Sequence, residues 1–248
     1  MYTQSPNRFH SGNRFSRPQG RFPRGRQVQR TFNPSFLIKN TPAARGVVAE
    51  TTAHTFEEFP IAPLLKQNIS EKGYAHTTPI QDQVIPNILA GRDVIGIANT
   101  GTGKTAAFLV PLIDKVLKNR NEKVLIIAPT RELAVQIRDE FVSFARGLGI
   151  YSVLCIGGAN IYRQKADLRR QYNFIIGTPG RLKDLIGERS IQLSLFHSVV
   201  LDEADLMVDI GFIHDIKEII SLLPRERQSL FFSATVDGKV REVLTAFV

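Results

Sequence analysis

The chain has 248 residues, 43% of them hydrophobic and 22% charged, enough apolar content to core one large domain or two small ones. No apolar run approaches the roughly 18 residues of a membrane-spanning helix, and the start Met1-Tyr2-Thr3-Gln4 lacks the apolar stretch of a secretory signal. The net charge of +9 lies entirely in residues 1–49, which hold eight Arg, one Lys and no acid; the remainder balances 23 bases against 23 acids.

Residues 1–49 are dense in Arg, Gly, Pro, Asn and Phe and show neither helical nor strand periodicity, which predicts a disordered basic tail. Three Arg-Phe pairs recur, Arg8-Phe9, Arg14-Phe15 and Arg21-Phe22, with Gly20-Arg21 and Gly25-Arg26 interleaved. Arginine contacts phosphates and stacks on bases, phenylalanine adds π-faces and glycine keeps the chain supple, a mixture suited to tethering RNA without regard to sequence. A solvated tail without a specific partner, or an Arg-rich transit peptide, fits the same composition.

From about His54 onward, helical stretches alternate with short runs that are apolar on both faces: Asp93–Ala98, Val124–Ala128, Ser152–Ile156, Phe174–Gly177, Ser198–Leu201 and Leu230–Ser233. Helix-length segments such as Ala106–Leu117, Arg131–Leu148 and Ile213–Leu222 lie between them. This alternation predicts an α/β domain with a doubly wound, mostly parallel sheet, helices on both faces, and ligands at the carboxyl ends of the strands.

The first of those ends runs into Ala98-Asn99-Thr100-Gly101-Thr102-Gly103-Lys104-Thr105 and then a helix. Glycines let backbone N–H groups converge on phosphates, and the helix N-terminus adds positive dipole. Lys104 is placed for the β- and γ-phosphates of ATP, and the Thr105 hydroxyl for Mg²⁺. The generic fingerprint has Gly where Ala98 stands, a difference of one methyl group. An ordinary glycine-rich turn would not need Lys-Thr at its end.

Cys155 lies in the apolar run Val153-Leu154-Cys155-Ile156 and reads as a buried strand cysteine rather than a nucleophile. A single cysteine excludes an internal disulfide and a cysteine-based zinc site and makes a reducing cytosol the default compartment. The five histidines are scattered, with no pair at metal-ligand spacing.

The strand Val199-Val200-Leu201 delivers Asp202-Glu203-Ala204-Asp205, ninety-eight residues after Lys104. Alone, acids after a strand are usually a solvated turn. Beside a phosphate loop, Asp202 suits Mg²⁺, directly or through water, and Glu203 suits orienting and deprotonating the water that attacks the γ-phosphate.

From about Phe56 to its end the sequence resembles the first RecA-like domain of a DEAD-box RNA helicase; Asp202–Asp205 spells the name, and Ala98 is that family's normal first loop residue. Residues 54–82 resemble its adenine-reading segment, and 83–248 its ATP-binding domain. The resemblance implies Gln81 on the adenine edge, Thr78 supporting the phosphate loop and Phe56 as a base-stacking aromatic. Thr77 departs from the family, which usually has Pro there, and loosens the expected turn. Pro129-Thr130-Arg131, Gly157-Gly158 and Thr178-Pro179-Gly180-Arg181 resemble the segments with which the family grips the RNA sugar–phosphate backbone, a sequence-blind contact. Ser233-Ala234-Thr235 resembles its coupling motif, whose hydroxyls meet the acidic tetrad at Asp205.

The implied protein is a monomeric, cytoplasmic ATP-dependent RNA helicase that uses ATP and Mg²⁺ to separate or remodel short RNA duplexes. The second RecA-like domain, with arginines of the kind worth about 10³–10⁵ in rate in related NTPases, is absent from this chain, which is therefore expected to hydrolyse ATP poorly alone. Another P-loop NTPase, or a catalytically idle RNA-binding clamp, are the competing readings.

Overall fold

The computed structural model describes the backbone of residues 37–39 and residues 54–247. The Arg-Phe pairs, and with them the RNA-tether and transit-peptide readings, lie outside the described residues. Seven strands form one sheet: β1 (Leu37–Lys39), β2 (Val94–Ile97), β3 (Val124–Ile127), β4 (Ser152–Cys155), β5 (Phe174–Gly177), β6 (Ser198–Leu201) and β7 (Gln228–Ser233). Their order across the sheet is β1-β2-β7-β6-β3-β5-β4, and every neighbouring pair is parallel.

All six expected strands form: three are trimmed by a residue at one or both ends, two match, and the last begins two residues earlier, at Gln228. The seventh, Leu37–Lys39, is one the sequence did not signal. Leu37 pairs with Ile95, Ile38 with Gly96 and Lys39 with Ile97, giving the outer backbone of β2 its partners. Three residues are too few for a period-2 signal to register in the sequence, and pairing here satisfies an edge that would otherwise stand open.

Among the described residues there are nine α-helices, α1 (Pro63–Glu71), α2 (Pro79–Leu89), α3 (Lys104–Lys118), α4 (Arg131–Phe144), α5 (Ile161–Leu168), α6 (Pro179–Gly187), α7 (Ala204–Asp209), α8 (Ile213–Ser221) and α9 (Gly238–Phe247), and two short 3-10 turns at Phe56–Glu58 and Leu193–Leu195. None of them is long and apolar enough to cross a membrane. Helix α4 ends before the expected Leu148, because the Leu148 N–H donates to Ala145 O (3.1 Å) and closes a turn instead of another helical repeat.

Alternate strand residues face opposite ways, and this divides the core into two layers. Val94, Val124, Ile126, Phe174, Ile176, Val200, Leu230 and Phe232 face α1–α4. Ile95, Leu125, Ile127, Ile175, Val199, Leu201 and Phe231 face α6–α9. The central strands are therefore apolar throughout, as a sheet covered on both faces requires. Cys155 belongs to the second layer, fully buried, and burial pushes its thiol up to about 12, out of reach of nucleophilic chemistry at neutral pH.

Candidate functional site: two clusters at the carboxyl edge

The strand order sorts the sequence motifs into two groups. β2, β7 and β6 are neighbours, and their carboxyl ends carry Ala98–Thr105, Ser233–Thr235 and Asp202–Asp205. β3, β5 and β4 are neighbours, and theirs carry Pro129–Arg131, Thr178–Arg181 and Gly157–Gly158. No spacing in the sequence dictates this partition; it follows from where β6 and β7 insert between β2 and β3.

In the first group, Ala98 N–H donates to Ser233 O (3.0 Å), extending the ladder one step before the chain turns away. Gly103 sits at φ 91°, which favours glycine, and a Cβ there would stand 2.4 Å from Gln81 Nε2. Lys104 opens α3, is 5% exposed, and donates from Nζ to Ala98 O (2.9 Å), so its charge is held at the mouth of the loop. The Thr102 hydroxyl donates to Asn99 O (2.8 Å) and braces the loop from within. Thr105 follows Lys104 in the first turn of α3.

The acidic strand end meets this loop across 103 residues of sequence: Thr100 Oγ1 donates to Glu203 Oε1 (2.8 Å). Glu203 adopts φ 50° and ψ 52°, a left-handed conformation that costs a non-glycine residue on the order of 1–3 kcal/mol. That turn is held by Glu203 N–H donating to Asp202 Oδ1 (3.0 Å). Asp202 is 2% exposed, and burial pushes its carboxyl up to about 6, with Lys104 pulling it back and Glu203 pushing it further. The third acid is anchored differently: Asp205 Oδ2 accepts from Ala234 N (3.1 Å), Thr235 N (3.0 Å) and Thr235 Oγ1 (3.2 Å). Ser233 Oγ in turn accepts from Asp205 N (3.3 Å) and donates to Thr235 O (2.7 Å). The expected contact between the Ser233–Thr235 segment and the acidic tetrad is thus a closed hydrogen-bond ring.

Several site residues stand otherwise than expected. Gln81 is fully buried; its Oε1 accepts from Thr78 N (2.8 Å) and its Nε2 donates to Gly103 O (3.1 Å). It therefore braces the phosphate loop, and Thr78 supports it as the start of α2, its side chain and that of Gln81 facing each other's backbone N–H in a reciprocal cap. Phe56 is 3% exposed and packs edge-on against Phe59 and Tyr74, so its ring is core rather than a stacking face. The aromatic lining the cleft is Tyr74, which the sequence reading passed over although it follows Gly73 directly. Thr77, which stands where Pro was expected, does not loosen its turn: its hydroxyl donates to His54 O (2.5 Å) and ties the two ends of the segment together.

The cleft between loop and acids is about 200 Å³, lined by Tyr74, Leu133, Gln136 and Glu140 on one side and Lys104, Thr105, Asp202 and Glu203 on the other. A buried ammonium, a helix N-terminus, a hydroxyl and two carboxylates make a donor set for a polyphosphate with a divalent cation. No three His, Cys, Asp or Glu side chains gather as a metal cage among the described residues.

The second group forms a groove of about 510 Å³ lined by Pro129, Thr130, Arg131, Thr178, Gly180 and Arg181, among others. Thr130 caps α4 by accepting Leu133 N–H (3.2 Å). Arg131 lies over the glycine pair so closely that a Cβ on Gly158 would stand 2.1 Å from its Nη1; Gly158 is the left-handed residue, at φ 76°. Arg181 Nη1 donates to Ala159 O (3.1 Å), and its guanidinium lies 3.5 Å from Asp184. Pro179 is buried at the first position of α6, where it starts the helix instead of facing the groove. Ile210 and Phe212, which no motif signalled, complete the wall.

Comparisons with known proteins agree with this geometry. The DEAD/DEAH box helicase family model matches residues 78–243. The DEAD-box ATP-dependent RNA helicase CshA of Geobacillus kaustophilus is 43% identical over 195 residues, covering 78% of this chain and 42% of that protein. Its Bacillus subtilis counterpart is also 43% identical over 195 residues, 78% of this chain and 40% of that one. The crystal structure of a DEAD box protein from Methanococcus jannaschii superposes with a TM-score of 0.72 at 37% identity, covering 77% of this chain and 52% of that one. A hypothetical ATP-dependent RNA helicase from Sulfolobus tokodaii gives 0.69 at 36% identity, covering 75% and 54%. The chain spans less than half the length of these curated relatives. With the family model covering most of its length, the chain belongs to the DEAD/DEAH box helicase family.

Proposed function

We propose that this chain is the ATP- and RNA-gripping domain of an ATP-dependent RNA helicase that locally separates or remodels short duplexes. The observation that carries this is the Thr100–Glu203 hydrogen bond, which places a carboxylate from β6 against a phosphate loop from β2. Lys104 binds the β- and γ-phosphates, and Thr105 and Asp202 would hold a Mg²⁺ ion, which would supply positive charge against the phosphate charge that develops. Glu203 accepts a proton from the attacking water, its strained backbone fixing where the carboxylate points. The adenosine end lies along Tyr74. Gln81 reads the adenine edge by exchanging its bond to Gly103 O for the base, so that base identity is felt by the phosphate loop.

Arg131, Arg181 and the Gly157–Gly158 amides hold RNA by its backbone, as guanidinium groups and backbone N–H donors on a groove can pair with phosphates whatever the sequence. The Asp205–Ser233–Thr235 ring passes the state of the acidic tetrad to the end of β7. Among the described residues, no arginine lines the phosphate cleft. We therefore expect slow ATP hydrolysis by this chain alone, with a second RecA-like domain supplying the missing cations in the working enzyme. Titrating the full chain with MgATP, MgGTP and two single-stranded RNAs of unrelated sequence tests this. ATP preferred to GTP, and equal RNA affinities with a steep salt dependence, are expected. Equal nucleotide affinities, or RNA binding that depends on sequence and not on salt, would defeat the proposal.

A further inference from the structure

Behind Tyr74, Glu140 and Lys72 form a polar pair at the edge of the nucleotide cleft that has no part in binding the nucleotide so far. Tyr74 is half-buried, its ring edge-on to Phe56 (centroids 6.0 Å apart) and to Phe144 (5.7 Å). Its hydroxyl donates to Glu140 Oε1 (2.6 Å). The other carboxylate oxygen, Oε2, lies 3.2 Å from Lys72 Nζ, and Lys72 also donates to Ser143 Oγ (3.1 Å). Leu133, Gln136 and Glu140 are spaced three and four residues apart on α4, so all three present to the cleft.

Two rings behind Tyr74 restrict how far it can tilt but do not prevent it sliding along its own plane. A hydrogen bond from the far end of the ring removes that freedom. Glu140 is well suited to make it, because its own carboxylate is held by Lys72 and its side chain is only 15% exposed. Burial and the adjacent carboxylate push the Tyr74 hydroxyl above its usual range, so it remains a donor throughout the working pH range.

We propose that Glu140 is a positioning residue for nucleotide binding: through the Tyr74 hydroxyl it locks the aromatic wall against which the adenosine end of the nucleotide lies. This rests on the assignment of the cleft to ATP. It implies that Glu140 and Tyr74 act as one unit and affect the adenosine half of the ligand, leaving the phosphate half to Lys104 and its loop.

The test is calorimetric binding of Mg–ATP and of Mg–tripolyphosphate to the full chain carrying Glu140→Ala, Tyr74→Phe, both, or Glu140→Gln. Glu140→Ala and Tyr74→Phe should each weaken ATP by roughly tenfold, the factor that 1.4 kcal/mol represents. The double variant should be no weaker than either single by more than about twofold, as expected of two residues in one interaction. Glu140→Gln, which keeps an acceptor for the hydroxyl, should recover most of the loss, and tripolyphosphate should bind all four equally. Wild-type ATP affinity in Tyr74→Phe, or a parallel loss for tripolyphosphate, overturns the proposal. If Glu140→Ala does not fold, Tyr74→Phe and Glu140→Gln decide it between them. Failure of the unaltered chain to bind Mg–ATP at all would instead remove the assignment of the cleft, and the proposal with it.

Discussion

Replacing Asp202 with Asn should stabilise the fold while disabling the site. Asp202 is buried to 2% exposure beneath the phosphate loop, and burial outweighs the attraction of Lys104, lifting its carboxyl to about 6 from an ordinary 3.8. At about 1.4 kcal/mol per pH unit, keeping that group ionised at pH 7.5 costs the folded state roughly 3 kcal/mol. Asparagine has nearly the same shape, retains an oxygen for Glu203 N–H, and carries no charge. A domain of this size gains ~2–4 °C in Tm per kcal/mol, so an upper limit is about 6–12 °C and a gain of about 5 °C is expected once the amide's own desolvation is subtracted. The sign follows from linkage: a carboxyl whose folded pKa is raised favours the folded state while protonated. That advantage is complete below about pH 4 and is lost as pH rises through 6. The two proteins should therefore melt together at pH 4 and separate by pH 7.5. Differential scanning fluorimetry across that range, in EDTA, reads both ends. A variant less stable than the parent at pH 7.5, or a gap that ignores pH, would refute the reasoning. Added MgATP should raise the Tm of the parent and leave the variant nearly unmoved.

Glu203→Gln should keep ATP affinity within about twofold and lose turnover by roughly 10²–10⁴-fold, the range of a lost general base; single-turnover hydrolysis checks this, and unchanged turnover would favour the idle-clamp reading. Gly103→Ala places a methyl group 2.4 Å from Gln81 Nε2 at φ 91°. The strain should cost on the order of 1–3 kcal/mol and weaken ATP binding together with stability, as denaturant melts and calorimetry would show. Arg131→Ala and Arg181→Ala should each lower the slope of log K against log salt for single-stranded RNA by about 0.7, with no change in sequence preference. A loss confined to one RNA sequence would speak against backbone contacts.

How far the sequence carries is clearest at the strands. Runs such as Val124–Ala128 and Ser198–Leu201 are apolar on both faces because two helical layers cover them, and that pattern identifies them without tertiary information. That Lys104, Asp202 and Glu203 would line one cleft was legible because ligands of such sheets gather at the carboxyl ends of the strands. Leu37–Lys39 was not, since its pairing depends on an edge of β2 far along the chain. Phe56 was read as a stacking aromatic because spacing cannot say which ring turns inward; its edge-on packing against Phe59 and Tyr74 decides it. The bond from Gln81 Nε2 to Gly103 O was not legible either, because it joins residues 22 apart on different elements. Ile210 and Phe212 join the groove only because β6 neighbours β3, and strand order is a long-range property that no local pattern encodes.

The account rests on the division of the carboxyl edge into a nucleotide cluster on β2, β7 and β6 and an RNA cluster on β3, β5 and β4. Backbone hydrogen exchange on the full chain, with MgATP and then with single-stranded RNA, measures that division directly. MgATP should protect Gly101–Thr105, Asp202–Asp205 and Ser233–Thr235, while RNA should protect Thr130–Arg131, Gly157–Gly158 and Thr178–Arg181. Protection of one common set by both ligands, or RNA protection falling on the phosphate loop, would contradict it.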